Sequence, residues 1–357
     1  MQSNLKPGRA EPEGKAPQKK DYEMLIRRPR GWELPEHLAT PEEVARGDRG
    51  GRGRRHVLAG AAAVGAAVMV PGIARAQWSL FGSSTPKAPV QPLQPLQVTE
   101  NPRYVPGRAI TDEKAATTYN NYYEFSDGKD LWESAQALKL DPWSIGISGM
   151  VGKPRTIGFD ELMKQMPLEQ RIYRHRCVET WAMTVPWDGF PLASLVKLAE
   201  PLSSAKYVVF TTREDPGAMV GLHHSMYPWP YVDGVTMQEA MNELAFLTVG
   251  MYGKTAPPQN GAPIRLTIPW KYGFKSVKAI AKIEFTDQRP VSFWEKLSPS
   301  EYGFWANVNP AVPHPRWSQA RERLLGSGEQ VASQIWNGYG EFVAAMYDDK
   351  KTERLFA

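Results

Sequence analysis

The chain holds one cysteine, Cys177, in the string Tyr173-Arg174-His175-Arg176-Cys177-Val178-Glu179-Thr180-Trp181. One thiol cannot close a disulfide within the chain, so it is a structural residue, an intermolecular link or a reactive ligand. The plainest role for a free cysteine is that of a small buried hydrophobe. Nucleophilic catalysis needs a base within hydrogen-bond reach, and spacing identifies no His/Asn or His/Asp partner. Zinc is poorly supported, because His223 and His224 are adjacent and His314 lies far along the chain. Arg174, His175 and Arg176 stand directly before the cysteine. Their charge is expected to favour thiolate, the form that binds metals, and the ligand reading is the one followed here.

Around this string the apolar pattern predicts short elements of both kinds. Residues 143–149 alternate as a strand does, and Gly152-Lys153-Pro154 supplies turn chemistry. Phe159, Leu162, Met163 and Met166 form a helical stripe that Pro167 ends, and Leu192, Leu195, Val196 and Ala199 form a second, opened by Pro191. Thr236 and Glu239 have the spacing of a capping box. Further strands are expected over 205–212, 263–269 and 277–285, with Trp270-Lys271-Tyr272-Gly273-Phe274-Lys275 read as the end of a hairpin between the last two. There is no internal repeat. The pattern is α+β, with a mixed β-sheet and short helices in a loop-rich body, and lacks the regular strand-helix alternation of a doubly wound fold.

The front of the chain reads differently. Residues 1–53 are rich in Gly, Pro and charge, are expected to be disordered, and include Met24 as an alternative translation start. Residues 54–76 open with Arg54-Arg55, continue through 14 residues from Val57 to Val70, and end on Ala74-Arg75-Ala76. That run is shorter than the ~20 residues that span a bilayer and suits a twin-arginine signal peptide cleaved after Ala76, with an uncleaved membrane anchor as the alternative. The aromatic expected after such an arginine pair is absent, since His56 and Val57 stand there. The twin-arginine route moves folded proteins, which is useful when a cofactor is inserted first. Residues 77–109, with Pro89, Pro92 and Pro95, read as an extended tether, and 110–357 as the folded domain. Residues 1–76 carry 14 Lys+Arg against 9 Asp+Glu, the whole of the chain's net +5. The remainder is balanced, which argues against nucleic-acid binding.

Beyond the cysteine string, several blocks together resemble a known family: Asn120-Asn121-Tyr122-Tyr123-Glu124-Phe125, Val185-Pro186-Trp187-Asp188-Gly189-Phe190-Pro191-Leu192, Pro257-Pro258-Gln259-Asn260-Gly261-Ala262-Pro263-Ile264-Arg265, and His314-Pro315-Arg316-Trp317. The resemblance is to the sulfite-oxidase superfamily, and within it to the catalytic subunits of periplasmic protein-methionine-sulfoxide reductases. It covers roughly Ile110 to the C-terminus. It implies a sulfite-oxidase-type molybdopterin-binding fold and a Mo-molybdopterin cofactor with Cys177 as the metal's protein ligand. The family's pterin contacts fall on Asn120, Tyr123, Glu124, Thr212, Asn260, Arg265, Ser276, Val277 and Lys278. Of these, Arg265 and Lys278 suit a phosphate tail.

The implied reaction is oxygen-atom transfer from methionine sulfoxide in periplasmic proteins, with water as by-product. No haem-attachment Cys-x-x-Cys-His and no membrane span occur after residue 76. The resemblance therefore implies a haem-bearing membrane subunit as electron donor. Sulfite oxidation on the same scaffold is the alternative reaction, leaning on Arg174 and Arg176, although both would face away from Cys177 in a regular strand. An exported binding module without turnover is the alternative of another class, and molybdenum analysis separates it from the enzymes.

Overall fold

The computed structural model describes residues 88–350 and 352–356. The N-terminal extension, the export signal and the first part of the tether lie outside them. Two β-sheets, both mixed, carry the fold. The smaller has the order β3-β2-β11-β6-β7, formed by Arg155–Gly158, Ser144–Gly149, Ile280–Thr286, Tyr207–Thr212 and Val232–Thr236. β6 alternates half-buried and buried residues along its whole length, as a strand with one face on a core should.

The larger sheet is built on β4 (Glu169–Arg176) and β5 (Trp181–Pro191), an antiparallel hairpin paired from Glu169–Gly189 to Arg176–Ala182. β8 (Phe246–Met251) pairs β5 over its C-terminal half, and β12 (Arg321–Leu324) pairs its beginning. β9 (Lys254–Thr255) and β10 (Arg265–Thr267) extend the sheet from β8, and β13 (Gln330–Ala332) extends it from β12. Flanked this way, β5 is buried at ten consecutive positions and β8 at all six. Such strands read as continuous apolar runs because neither face meets water.

The helices at Phe159–Gln165 and Leu192–Ala199 fall where the stripes place them. The capping box forms, with Thr236 Oγ1 accepting from Glu239 N at 3.1 Å and the Glu239 carboxylate accepting from Thr236 N at 2.9 Å. Two expectations need correction. Residues 270–275 are not a hairpin end, because β10 and β11 belong to different sheets and Gly273–Lys275 is a 3-10 turn between them. Leu266 N still reaches Val277 O and Ile280 N reaches Ile264 O, so the chain doubles back briefly before it diverges.

The second correction concerns the Pro-rich stretch. Its described part, 88–109, is extended but bound, not a free tether. Gln91 bonds Gln136 and Leu138 O, Leu96 N bonds Gly253 O, and β1 (Thr99–Glu100) runs parallel to the start of β4. Proline keeps the segment extended, and the N–H groups of Gln94, Leu96, Thr99 and Asn101 find partners along the sheet edge.

Candidate cofactor and active site

Cys177 is the first residue after β4 and opens the tight turn into β5. Its N–H donates to Trp181 O at 2.9 Å, its carbonyl accepts from Thr180 N at 3.1 Å, and Thr180 takes a φ of +70° to close the turn. Side chains alternate along a strand, so His175 and Cys177 share one side of β4, and both line a cavity enclosing about 790 Å³ up to its mouth.

Arg174 and Arg176 face away from it. Arg174 donates to Pro106 O at 2.8 Å and to Gln334 and Asn337 O. Arg176, fully buried, donates to Glu322 and Gln319, each at 2.8 Å. The expected push toward thiolate is therefore overturned. Burial and the nearby Glu179 carboxylate raise the Cys177 thiol to about 12, and His175 cannot supply charge because burial, with Arg265 and Lys278 nearby, holds it neutral.

All ten residues singled out in the sequence line this one cavity: Cys177 with Asn120, Tyr123, Glu124, Thr212, Asn260, Arg265, Ser276, Val277 and Lys278. Besides Cys177 in its turn, the other nine arrive from four segments. The 122–126 turn and the loop before it bring Asn120, Tyr123 and Glu124, the end of β6 brings Thr212, and the 3-10 turn Pro258–Asn260 brings Asn260. The stretch between β10 and β11, with the start of β10, brings Arg265, Ser276, Val277 and Lys278. Thr212 Oγ1 donates to Lys278 O at 2.9 Å, which ties the two sides together.

The polar side of the cavity fits a phosphate-bearing, heteroatom-rich guest. Asn120 Oδ1 and Asn260 Oδ1 are buried without a partner, although Asn260 Nδ2 is anchored on Ala116 O at 3.1 Å. Unpaired buried polar atoms are costly, and a ligand donor relieves that cost. Arg265, 2 % exposed, spends its N–H groups on the carbonyls of Asn260, Leu266 and Ser276, and burial lowers it to about 10. Lys278 donates to Asn121 O at 2.6 Å, and burial with the neighbouring Arg265 lowers it to about 7. Two cations this close are stabilised by an anion between them. Gly261, at a φ of +101°, completes the cradle, since a Cβ there would stand 2.7 Å from Lys278 Cγ and 3.1 Å from Arg265 Cβ.

Sequence reasoning did not single out Asn121, Trp181, Tyr231, Phe274, Trp294 or Tyr302, which also line the cavity. Asn121 Oδ1 accepts from Trp181 Nε1 at 3.1 Å and lies 4.0 Å from Cys177 Sγ. Glu179, two residues beyond the cysteine, accepts from Asn121 at 3.0 Å and Tyr123 at 3.2 Å and pairs with Lys129 at 2.6 Å. The signal for Asn121, Glu179 and Trp181 lay in the quoted strings, while Trp294 sits in the short helix Phe293–Leu297 and Tyr302 beyond it, where nothing in the sequence ties them to the site. Among the described residues no group of three or more His, Cys, Asp or Glu side chains could hold a metal by itself. A metal here needs ligands from a cofactor besides Cys177.

Residues 133–294 match the family profile described as the oxidoreductase molybdopterin binding domain. The chain is 44 % identical, over 91 % of its length and 96 % of the relative's, to the protein-methionine-sulfoxide reductase catalytic subunit MsrP of Burkholderia mallei. The sulfane dehydrogenase SoxCD of Paracoccus pantotrophus is a solved structure it matches with a TM-score of 0.42 and 17 % identity, covering 63 % of this chain and 57 % of that one. With a polar, doubly cationic cradle opening on a single thiol and identity of this extent to that relative, the chain belongs to the family of molybdopterin-dependent protein-methionine-sulfoxide reductase catalytic subunits.

Proposed function

We propose that the protein reduces methionine sulfoxide residues of periplasmic proteins, with Cys177 as the molybdenum's protein ligand and the nine other residues singled out above as the cofactor's contacts. The observation that carries the reading is the placement of the lone thiol on the wall of a cavity with unpaired Asn120 and Asn260 oxygens and the Arg265–Lys278 cations. The molybdenum centre, when bound, supplies two-electron oxygen-atom abstraction from the sulfoxide, and the oxygen leaves as water after two electrons and two protons.

The chain's own residues prepare that chemistry. The N–H of Glu179 points at Cys177 Sγ across 3.4 Å, which fixes the sulfur and favours its anionic form once a metal displaces the proton. Asn121 is held from two sides, by Trp181 and Glu179, beside that sulfur. Tyr123, Trp294, Tyr302 and Phe274 line the cavity in ring-edge and tilted contacts with one another. Arg174 and Arg176, on which sulfite oxidation leaned, spend their charge on the other face of β4.

The electron donor in this reading is a haem-bearing membrane subunit. The protein is exported folded by the twin-arginine signal at 54–76 and matures after Ala76, with 1–53 as an N-terminal extension and 110–357 as the catalytic domain. Cell fractionation of an Arg54→Lys/Arg55→Lys variant tests export, and periplasmic accumulation at wild-type level would sink that part. Metal analysis and dye-linked reduction of oxidised protein test the reaction. Cys177→Ser is expected to keep a native circular dichroism spectrum and to lose turnover at least about a hundredfold. A variant that reduces sulfoxide at near wild-type rate would remove Cys177 from the centre.

A further inference from the structure

One face of the cavity mouth is built unlike the rest. Residues 217–231 contain no Asp, Glu, Lys or Arg, although His223, His224 and Ser225 stand exposed between Val220 and Met226. This loop is seated directly on the cavity wall: Gly221 N donates to Glu124 O at 2.7 Å, and a Cβ on Gly221 would stand 2.0 Å from Tyr123 O. From that seat it presents Val220, 54 % exposed, and Met226, 78 % exposed. Tyr227 links the exposed pair to the interior. Its ring lies 6.0 Å from Tyr123, 6.5 Å from Trp294 and 5.9 Å from Phe293 in a stacked pose, and its hydroxyl is anchored on Asp127 at 3.0 Å. Tyr123 and Trp294, edge to face at 4.8 Å, are themselves cavity wall. A path of apolar and aromatic side chains, starting in a loop free of Asp, Glu, Lys and Arg, thus runs as a shelf from solvent to the chamber that holds Cys177.

We propose that this shelf, formed by Val220, Met226, Tyr227 and Trp294, is the docking site for the polypeptide segment that flanks the sulfoxide. The inference rests on the sulfoxide-reductase reading above and names what lets the site take protein-borne substrate. Methionine is mostly a core residue, and its sulfoxide disrupts cores, so an oxidised chain exposes apolar neighbours beside the lesion. A shelf without fixed charge accepts many such flanking sequences. An exposed methionine, unbranched and polarisable, adapts to them, as methionine does on other promiscuous surfaces. The aromatic step from Tyr227 to Trp294 offers ring faces to the methyl-sulfinyl group as it enters. The occupant is an extended, oxidised polypeptide. A second copy of this chain and the electron-donating subunit are the competing occupants.

The test uses the molybdenum-loaded protein and a Val220→Asp/Met226→Asp double variant, whose positions are solvent-exposed and leave the core untouched. Peroxide-oxidised casein and dimethyl sulfoxide are assayed with the same dye donor. Calorimetry follows binding of a twelve-residue peptide carrying one central methionine sulfone, which cannot be reduced by this route. For casein, kcat/KM is expected to fall about tenfold, carried by KM, while that for dimethyl sulfoxide stays within about twofold and peptide binding weakens in parallel. Equal loss on both substrates, or no loss on either, overturns the proposal. So does a wild-type dimer, seen by sedimentation, that the double variant splits. If the wild type reduces neither substrate, the reductase reading has failed, and the sulfone-peptide calorimetry alone decides whether the shelf binds polypeptide.

Discussion

Glu179 donates its backbone N–H to Cys177 Sγ at 3.4 Å while its carboxylate turns outward to Asn121, Tyr123 and Lys129. One residue thus acts on the sulfur in two opposed ways. Its N–H favours the thiolate, its charge disfavours it, and burial adds to the second effect until the thiol lies at about 12. At pH 8 about one thiol in ten thousand is then ionised in the metal-free protein, against roughly a quarter for an ordinary cysteine. Iodoacetamide labelling of metal-free Cys177 at pH 8 is expected to be more than about a hundredfold slower than that of free cysteine, rising about tenfold per pH unit. Glu179→Gln removes the opposing charge and should speed labelling at fixed pH. Labelling of the wild type as fast as a free thiol at pH 7 would contradict this account.

Gly261 is the point where the cradle tolerates no side chain. Its φ of +101° already penalises any other residue, and a Cβ would press on Lys278 and Arg265 together. Gly261→Ala is expected to lower molybdenum content severalfold in protein purified under identical conditions, with a stability loss of about 1–3 kcal/mol in urea titration. Full occupancy together with unchanged stability would mean that the two cations do not need their present spacing.

The hydrophobic stripes and the capping box were legible because they are local: periodicity and a three-residue spacing decide them. β5 was not, because Pro186, Gly189 and Pro191 argue against a central strand on propensity. The fold accommodates them. Pro186 lies beyond the last residue paired with β8, its carbonyl instead accepting from Tyr252 N at 2.9 Å, and a register shift between Asp188 and Gly189 absorbs the break. The nine pterin contacts were found through resemblance, since their four segments span Asn120 to Lys278 and no spacing rule connects them, whereas Cys177 stood out as the chain's one thiol. The charge effect on Cys177 was misjudged for a geometric reason. Adjacency along the chain placed Arg174 and Arg176 beside the thiol, whereas strand alternation turned them to Glu322, Gln319 and Pro106.

Lys275, 1 % exposed, pairs with the fully buried Asp233 on β7 and so anchors the stretch that continues into Ser276, Val277 and Lys278. Lys275 and Gly234 N both reach Asp233 Oδ1, Oδ2 is buried without a hydrogen-bond partner, and burial pushes the carboxyl upward despite the lysine. Removing one member of a buried pair strands the other charge. Lys275→Met is therefore expected to destabilise the protein by about 3–5 kcal/mol, and a Lys275→Met/Asp233→Leu double variant to recover most of that loss. Equal stability of the single and double variants in urea titration would show that the ion pair is not what holds this stretch.

Glu124 and Lys278 face each other across the same cavity, and burial drives both toward about pH 7 from opposite sides, the carboxyl up from 4.5 and the ammonium down from 10.5. A carboxyl raised on folding stabilises most at pH values below its unfolded value and loses that contribution as pH climbs through the folded one. A lysine lowered on folding contributes most above its unfolded value and loses it as pH falls through the folded one. The two losses meet near pH 7, where the metal-free protein should show a local minimum in Tm, rising on either side. An anionic cofactor between Lys278 and Arg265 supplies the missing partner and should flatten the minimum in the loaded protein. Lys278→Met removes the high-pH limb, because the unfolded chain then has no extra proton to bind there. It should stabilise the metal-free protein at pH 7 by on the order of 1–2 kcal/mol while lowering cofactor content. A metal-free Tm that rises monotonically through pH 7, or one that Lys278→Met leaves unaltered, would mean that the ammonium is already compensated by Asn121 O at 2.6 Å, the Tyr122 ring at 5.1 Å and the Glu124 carboxylate.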